Sequence, residues 1–379
     1  MQIYRVGGAV RDQLLGLSGK DIDWVVVGAT PQQMLDCGYT QVGRDFPVFL
    51  HPETKQEYAL ARTERKTASG YTGFTVHSSP DVTLEQDLAR RDLTINAIAQ
   101  NSIGELIDPY KGQADIAAKV LRHITPAFRE DPLRVLRLAR FAARFFPLGF
   151  SVAAETRSLL GQMVSDGELR DLVAERVWTE TERALAEADP TAYFDTLADC
   201  GALDQLFPEL DSGWRDSKSG ARAMLAAVAQ ETQEPLPRFA ALFVSMSNDQ
   251  LSALSSRLKI GHAYVQLANM FIAHRETIHR FEQLDAEHKL QLLEATDVLR
   301  RPERVESLLM LCRIHWQLFH AKTQDYRQEE LFHSAIEAIT SVSSKAFLEQ
   351  GLQGKEIARA IRQNRLLALS ELRLETNSN

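Results

Sequence analysis

The first hundred or so residues combine short apolar stretches with turn residues, a pattern that predicts a mixture of strands and helices. Residues 3–6 form a short apolar strand that ends at a glycine pair, and residues 9–15 have helical character. Residues 21–27 are rich in β-branched and aromatic side chains and predict a central strand. Two further strands are expected at 46–50 and 57–62.

The pattern changes in the rest of the chain. Residues 63–83 contain many Gly, Ser and Thr residues, which predicts a mobile loop. From about Pro126 onward, apolar residues such as Leu133, Leu136 and Phe141 recur near helical spacing, and no convincing strand alternation is found. The predicted fold class is therefore α+β: an N-terminal head with a mixed β-sheet and helices, followed by an all-helical neck, body and tail.

Composition is that of a globular protein of two or three domains. The 379 residues are 44% hydrophobic and 25% charged. No apolar run approaches the roughly 20 residues that a membrane span needs, and the N-terminus lacks the layout of a signal peptide. The cysteines, Cys37, Cys200 and Cys312, have no metal-ligand spacing and are interpreted as buried residues in a reducing cytoplasm.

Charge is distributed unevenly. The net charge is −8, which argues against a simple nucleic-acid-binding protein. Residues 1–150, however, hold 18 basic and 17 acidic side chains, whereas the remainder holds 25 and 34. An RNA ligand is therefore expected to contact a local basic surface.

An acidic pair opens the predicted central strand. Asp21 and Asp23 are two apart, so on a strand both carboxylates point to the same face. Two like charges held that close favour a neutralising cation, and Mg²⁺ prefers carboxylate oxygens together with substrate phosphates. A solvated acidic turn is the ordinary alternative for such a pair.

A glycine turn precedes that pair. Gly7 and Gly8 follow a strand and open a helix that carries Arg11. Glycines allow a phosphate to approach backbone N–H groups, and an arginine can hold phosphate oxygens with both arms of its guanidinium. A glycine pair alone is commonly only a turn, but its combination with Arg11 and the acidic pair predicts a nucleotide site.

The order of motifs resembles the class II tRNA nucleotidyltransferases, or CCA-adding enzymes, and the related bacterial poly(A) polymerases. The motifs are residues 6–12 with 21–23, 90–97 (Arg-Arg-Asp-Leu-Thr-Ile-Asn-Ala), 108–112 (Asp-Pro-Tyr-Lys-Gly), 130–134 (Glu-Asp-Pro-Leu-Arg) and 175–180 (Glu-Arg-Val-Trp-Thr-Glu). Five ordered motifs identify the chain as a bacterial member of that family.

The resemblance implies a two-metal reaction in which the tRNA 3′-hydroxyl attacks the α-phosphate of CTP or ATP and pyrophosphate leaves. It implies that Asp21 and Asp23 hold Mg²⁺ and that Gly8 and Arg11 cradle the triphosphate. Arg91 then compensates phosphate charge, and Asp92 accepts a hydrogen bond from the ribose.

Base choice is predicted from Asp131 and Arg134, which share one face if both lie on a helix. Asp131 can accept from the exocyclic amine of cytosine or adenine, and Arg134 can donate to the adjacent ring nitrogen, whereas uracil and guanine present the wrong groups. For an isolated Asp-x-x-Arg, the alternative is an aspartate that caps a helix and a solvated arginine. The family places further nucleotide contacts at the positions of Arg137 and Arg140.

Two segments bear on the limits of the activity. The family associates a loop like 63–74 with the switch from adding C to adding A, so addition of the terminal A is expected. Longer relatives carry a helical phosphohydrolase module of the HD type, but no His-Asp doublet occurs in this sequence. His262, His274, His279 and His288 are interpreted as surface or interhelical residues, and no second metal centre is expected.

The resemblance divides the chain into a head (1–120), a neck (121–190), a body without the HD metal site (191–300) and a tail (301–379) that binds tRNA. The expected partners are ATP, CTP and the acceptor and TΨC arms of tRNA, and the chain is expected to be a cytoplasmic monomer. A poly(A) polymerase and a catalytically inactive tRNA-binding protein stay open as alternatives.

Overall fold

The computed structural model describes residues 1–18, 22–42, 48–66, 74–216, 220–320 and 326–372. The chain forms two compact units, Met1–Asp211 and Ser212–Asn379. Among the described residues, no helix combines the length and the apolar character needed to cross a bilayer.

The N-terminal unit contains the strands and ten helices of the described residues. The strands are β1 (Gln2–Val6), β2 (Asp23–Val27), β3 (Thr40–Val42), β4 (Val48–Leu50), β5 (Glu57–Leu60), β6 (Thr63–Lys66), β7 (Phe74–His77), β8 (Ala99–Gln100), β9 (Leu106–Ile107), β10 (Val120–Leu121) and β11 (Ser151–Val152). The helices are α1 (Gly8–Leu14), α2 (Pro31–Asp36), α3 (Leu84–Ala89), α4 (Gly112–Ala118), α5 (Leu133–Phe145), α6 (Ala154–Ser165), α7 (Ala174–Leu185), α8 (Pro190–Asp199), α9 (Ala202–Leu206) and α10 (Pro208–Arg215), the last of which runs past the end of the unit.

Seven strands form one mixed sheet in the order β3-β4-β5-β2-β1-β8-β9. Strands β2 and β5 are parallel, and the other neighbours are antiparallel. The β-branched run in β2 lies in the middle of this sheet, as its sequence predicts, and Val25 and Val26 are buried. In the β1–β2 register Val6 lies opposite Asp23, so the carboxylate sits beside the residue that leads into the glycine turn.

A capping box fixes the start of α3, the helix that precedes the motif at residues 90–97. Thr83 begins α3 with a capping box, in which its hydroxyl accepts from the Gln86 N–H and the Gln86 side chain accepts from the Thr83 N–H. The helix ends at Ala89 with Arg90 as its C-cap, and the chain continues through Arg91 and Asp92 into a short 3₁₀ turn. This places the Arg-Arg-Asp motif at the end of a helix whose start is fixed.

Helices make up the C-terminal unit. They are α11 (Ala221–Glu231), α12 (Pro235–Ala241), α13 (Asn248–Leu258), α14 (His262–His279), α15 (Ala286–Ala295), α16 (Pro302–Phe319), α17 (Gln328–Ser341), α18 (Lys345–Glu349) and α19 (Lys355–Glu371). Helices α12, α14 and α16 pack around buried aromatic side chains such as Phe239 and Phe271. The sheet followed by helices confirms the predicted α+β class, while the division into four parts stays a prediction.

Three expectations from the sequence were wrong in detail. Residues 63–66 and 74–77 form a hairpin, β6–β7, instead of loop. Residues 151–152 form β11, which pairs in parallel with β10 inside the region predicted to be helical throughout. In both cases the pairing partner decides the conformation, and periodicity within a short segment does not reveal it. Cys37 is exposed at the end of α2, whereas the other two cysteines are buried.

Candidate active site

The glycine turn is built at Gly7. This residue has φ 68° and ψ −129°, a backbone conformation that residues with a side chain rarely adopt. A Cβ atom at Gly7 would lie 2.6 Å from Nη1 of Arg91. Glycine therefore serves two purposes here, because it permits the turn and leaves room for the guanidinium of Arg91. The sequence analysis named Gly8 as a nucleotide-binding residue, but the position that requires glycine for its backbone conformation and for the space it leaves is Gly7.

One cleft of about 660 Å³ collects nearly all the predicted site residues. Its lining includes Gly8, Arg11, Asp23, Arg91, Asp92, Asp131, Arg134, Arg137 and Arg140. Asp21, the remaining predicted site residue, lies outside the described residues. Nine arginines and three aspartates line the cleft, so the described lining is strongly cationic in a chain that is acidic as a whole. Such a surface favours a polyanionic ligand.

A hydrogen-bonded chain of side chains connects the glycine turn to α5. Arg11 is buried, and its guanidinium donates to Asp12 Oδ1 and to Asn96 Oδ1. Asn96 Nδ2 in turn donates to Asp92 Oδ1 at 2.8 Å. Asp92 Oδ2 accepts from Arg137 Nε at 2.9 Å and lies 2.7 Å from Arg137 Nη2. Asn96 is thus the bridge between two predicted nucleotide-binding residues, although the sequence did not single it out.

The electrostatics of Asp92 follow from these contacts. Burial alone would raise its pKa, but the positive charge of Arg137 and hydrogen bonds from Asn96 and Arg137 lower the pKa to about 2. The proximity of Asp92 also raises the pKa of Arg137, despite the burial of that guanidinium. Both side chains are therefore charged at neutral pH.

Replacing Asp92 with asparagine should reveal this pairing in the pH dependence of stability. The folded-state pKa of Asp92 lies below its unfolded value, so its contribution is complete above about pH 4 and is lost as the pH falls toward 2. The shift corresponds to about 2 kcal/mol. The free energy of urea-induced unfolding, measured between pH 7 and pH 2.5, should differ between wild type and Asp92→Asn by a constant amount above pH 4 and by less below it. A difference that does not change with pH would contradict the assignment.

The guanidinium of Arg91 carries a buried N–H donor that has no hydrogen-bond partner among the described residues. Its Nη2 lies 3.4 Å from the buried carboxylate of Asp87, but its Nε is buried without a hydrogen-bond partner among the described residues. Burial lowers the pKa of this guanidinium, and the charges of Asp87 and, more weakly, Asp23 oppose that shift. A buried donor without a partner is costly, so an anion bound beside Arg91 would relieve the cost.

Asp131 and Arg134 are not arranged as the sequence predicted. Helix α5 begins at Leu133, and Asp131 precedes it in extended conformation, so the two residues do not share a helix face. Asp131 Oδ1 accepts from the Leu133 N–H at 3.1 Å, and Oδ2 accepts from Arg176 Nη2 at 3.1 Å. Proline at 132 explains the error, because the residue before a proline is disfavoured in helical conformation. Asp131 thus accepts from the first N–H of α5 through its side chain, from the position before the N-cap Pro132.

Arg134 is buried and not solvated. Nη1 donates to the Ala127 carbonyl at 2.9 Å, and Nη2 donates to the Arg90 carbonyl. Arg140, two turns further along α5, donates from Nε to Glu180 Oε2 at 2.7 Å. Arg176 and Glu180 both belong to α7, so the last motif supplies partners to Asp131 of the fourth motif and to Arg140 in α5.

Comparisons with known proteins agree with this architecture. The Poly A polymerase head-domain family matches residues 3–122, and the family described as "Probable RNA and SrmB- binding site of polymerase A" matches residues 149–213. The chain is 47% identical to a multifunctional CCA protein of Thioalkalivibrio sulfidiphilus, covering 99% of each chain. It is 48% identical to a CCA-adding enzyme of Pseudomonas putida, covering 97% of this chain and 98% of that one.

Solved structures share the fold at lower identity. A CCA-adding enzyme in complex with CTP matches with a TM-score of 0.70 and 21% identity, covering 98% of this chain and 87% of that one. The Thermotoga maritima CCA-adding enzyme complexed with tRNA matches with a TM-score of 0.66 and 22% identity, covering 98% and 88%.

Proposed function

The chain belongs to the family of CCA-adding enzymes, and from that membership we propose that it adds C, C and A to the 3′ end of tRNA without a nucleic-acid template. The nucleotides come from CTP and ATP, and pyrophosphate is released. The single observation that carries this proposal is the cationic cleft, in which the glycine turn, Asp23 and the arginine-bearing helix α5 meet. Each part matches one requirement of nucleotidyl transfer.

The triphosphate is assigned to the side of the cleft formed by the glycine turn and Arg91. Gly8 is half-exposed and has no side chain to cover its backbone, and Arg91 Nε, which has no hydrogen-bond partner among the described residues, supplies a buried donor. Arg11 lines the same cleft, but its guanidinium is engaged by Asp12 and Asn96. Arg11 therefore holds the wall of the site in position as well as adding positive charge near the phosphates.

The family's reaction is metal-dependent, and Asp21 with Asp23 is our proposed binding site for Mg²⁺. Asp23 suits a Mg²⁺ ion, because its carboxylate is exposed. It lies at the start of β2, opposite Val6 and next to the glycine turn. Mg²⁺ held by Asp21 and Asp23 would supply activation of the tRNA 3′-hydroxyl and charge stabilisation for the leaving pyrophosphate. The residues of the cleft hold the α-phosphate in place for the attack of that hydroxyl.

Base selection requires an exchange of partners in this cleft. Asp131, Arg134, Asp92 and Arg137 are the proposed contacts to the nucleotide, and each is paired with a protein group in the structure. A cytosine or adenine can take over the hydrogen bonds that Arg176 and the backbone carbonyls provide, and a ribose hydroxyl can share Asp92. A base whose donors and acceptors do not match would separate these protein pairs without forming hydrogen bonds in their place, and its binding is therefore disfavoured.

The remaining parts of the proposal concern tRNA. We assign the acceptor and TΨC arms to the helical regions, and the switch to A addition to the segment around the β6–β7 hairpin, of which residues 67–73 lie outside the described residues. A tRNA substrate also implies a cytoplasmic location, and the chain is proposed to act as a monomer.

The test is nucleotide addition to a tRNA that lacks its 3′ end. CTP, ATP, UTP and GTP are supplied singly and together, and the products are sequenced. We expect two added C residues with CTP alone, three added nucleotides with CTP and ATP, and no product from UTP or GTP alone. A transcript that already ends in CCA is the matched control and should not be extended.

Other outcomes identify the alternatives. A long ladder of A residues would assign the chain to poly(A) polymerase activity. Binding of tRNA without any incorporation at saturating CTP, ATP and Mg²⁺ would indicate an inactive tRNA-binding protein. Products that end after two C residues would contradict the role assigned to the segment around β6 and β7.

A further inference from the structure

Three histidines meet inside the C-terminal unit, far apart in sequence. His279 is the last residue of α14, His315 lies in α16, and His320 follows the end of α16. One ring nitrogen of each lies within 4.8 Å of those of the other two. The His315 and His279 rings are buried, and the His320 ring stacks on Trp316 with centroids 4.3 Å apart. The cluster is thus held in place by packing against aromatic residues.

The hydrogen bonds of the cluster join His279 to both His315 and Tyr326 and leave one nitrogen of His320 without a partner among the described residues. His279 Nε2 lies 2.9 Å from His315 Nδ1, and His279 Nδ1 lies 3.0 Å from the hydroxyl of Tyr326. His320 Nδ1 is buried without a hydrogen-bond partner among the described residues. Burial lowers the pKa of both His279 and His315, which favours the neutral form of the two rings. Neutral imidazoles are the form that binds metals.

We propose that His279, His315 and His320 form a site for a divalent transition-metal ion such as Zn²⁺ or Ni²⁺, separate from the cation of the nucleotide cleft. Imidazole nitrogens suit these ions, whereas Mg²⁺ prefers oxygen ligands, so the two centres differ in selectivity. Three protein ligands leave a fourth tetrahedral position for water.

To hold the ion, the facing nitrogens of His279 and His315 must move apart by about 0.5 Å, and nitrogens as far as 4.8 Å apart must approach one another. Ligand nitrogens on a tetrahedral Zn²⁺ are roughly 3.4 Å apart, given Zn–N bonds of about 2.0–2.1 Å. The cluster lies within 4.8 Å, with the His279–His315 pair at 2.9 Å. The proton shared by that pair moves to the outer nitrogen of His315 when His279 Nε2 and His315 Nδ1 both ligate, so no proton is lost. Tyr326 then accepts from His279 Nδ1–H and fixes the ring, as outer partners of ligand histidines do.

Of the nearby charges, Arg275 lowers the pKa of both His279 and His315, and Glu276 opposes it only at His279. Arg275 and Glu276 influence His279 with opposite sign, and their side chains pair with each other at 3.4 Å. The site was missed by the sequence because His279 and His315 are 36 positions apart on different helices and no short motif joins them. The expectation of no second metal centre rested on the missing HD doublet and on the interpretation of His262, His274, His279 and His288 as surface or interhelical residues, and it did not consider His315 and His320.

The experiment is a titration of untagged, chelator-treated protein with Zn²⁺ or Co²⁺ in a large excess of Mg²⁺, which keeps the carboxylates of the nucleotide cleft occupied. Bound metal is measured by mass spectrometry after gel filtration, and Co²⁺ coordination is followed by its visible spectrum. We expect one equivalent of metal per chain, a spectrum of nitrogen-ligated Co²⁺, and a rise in Tm on addition of Zn²⁺.

Variants assign the ligands. His320→Gln, at the half-buried position, should lose stoichiometric metal, and Tyr326→Phe should bind about 10-fold more weakly. His288→Gln is the matched control, because His288 is exposed in the same unit and pairs with Asp285. The proposal is overturned if wild type retains less than stoichiometric metal and its Tm does not change, a result that needs no variant. Equal loss of metal in the His288→Gln and His320→Gln proteins would overturn it as well.

Discussion

Replacing Asp23 with asparagine should lower the rate of nucleotide addition by about 10³-fold while the protein stays folded. A bound metal ion contributes several kcal/mol to the stabilisation of transition-state charge, and each 1.4 kcal/mol or so corresponds to tenfold in rate. Asparagine keeps the size of the side chain but loses the charge that holds the cation. Because Asp23 is exposed at the start of β2, the expected change in unfolding free energy is within about 0.5 kcal/mol.

The measurement is single-turnover addition of CMP across a range of Mg²⁺ concentrations, with circular dichroism to verify folding. Asp36→Asn is the matched control, because Asp36 is an exposed aspartate of the same unit at the end of α2 and does not line the cleft. Its activity should equal that of wild type. If Asp23→Asn retains activity within tenfold of wild type, the cation is not held at Asp23 and the proposed chemistry is wrong.

Asp131→Asn should weaken the preference for CTP over UTP by about 10- to 100-fold. The asparagine amide can donate to O4 of uracil, whereas the carboxylate can only accept, so the penalty against UTP of roughly 1–3 kcal/mol per unpaired group is relieved. Asparagine also caps helices well, so the contact to the Leu133 N–H that begins α5 can be kept. The readout is the ratio of kcat/KM for the two nucleotides.

The ratio of kcat/KM for CTP and UTP distinguishes a role of Asp131 in base selection from a purely structural role. If Asp131 acts only by pairing with Arg176 and capping α5, kcat/KM for CTP and UTP should fall by the same factor and their ratio should not change. That outcome would contradict the assignment. Asp171→Asn, at an exposed position just before α7, is the control and should leave both values unchanged.

Those parts of the site whose structure is determined by residues close together in the sequence could be predicted. The glycine turn, the strand that carries Asp23 and the helix with Arg137 and Arg140 follow from local composition and spacing, and the resemblance joins them in one site. Contacts between distant segments could not be predicted in this way. The bridge through Asn96 and the pairing of Arg140 with Glu180 depend on how the elements pack, and no period in the sequence encodes that packing.

Two errors have the same origin. The helical face expected for Asp131 and Arg134 assumed a helix that starts before Pro132, but α5 begins at Leu133. The loop expected at residues 63–83 ignored that two short segments can pair with each other as β6 and β7. Spacing rules hold only inside an element, so they fail where an element begins and where a strand finds its partner.

The turn at Gly7 limits how this protein can evolve. Gly16 shares the positive φ, but a Cβ atom there would meet no described atom within 4 Å, so Asn or Asp can replace it at the cost of backbone strain alone. At Gly7 the same replacement would also displace the guanidinium of Arg91. A substitution at Gly16 is therefore expected to be tolerated more readily than one at Gly7, where it also moves a positive charge that lines the cleft.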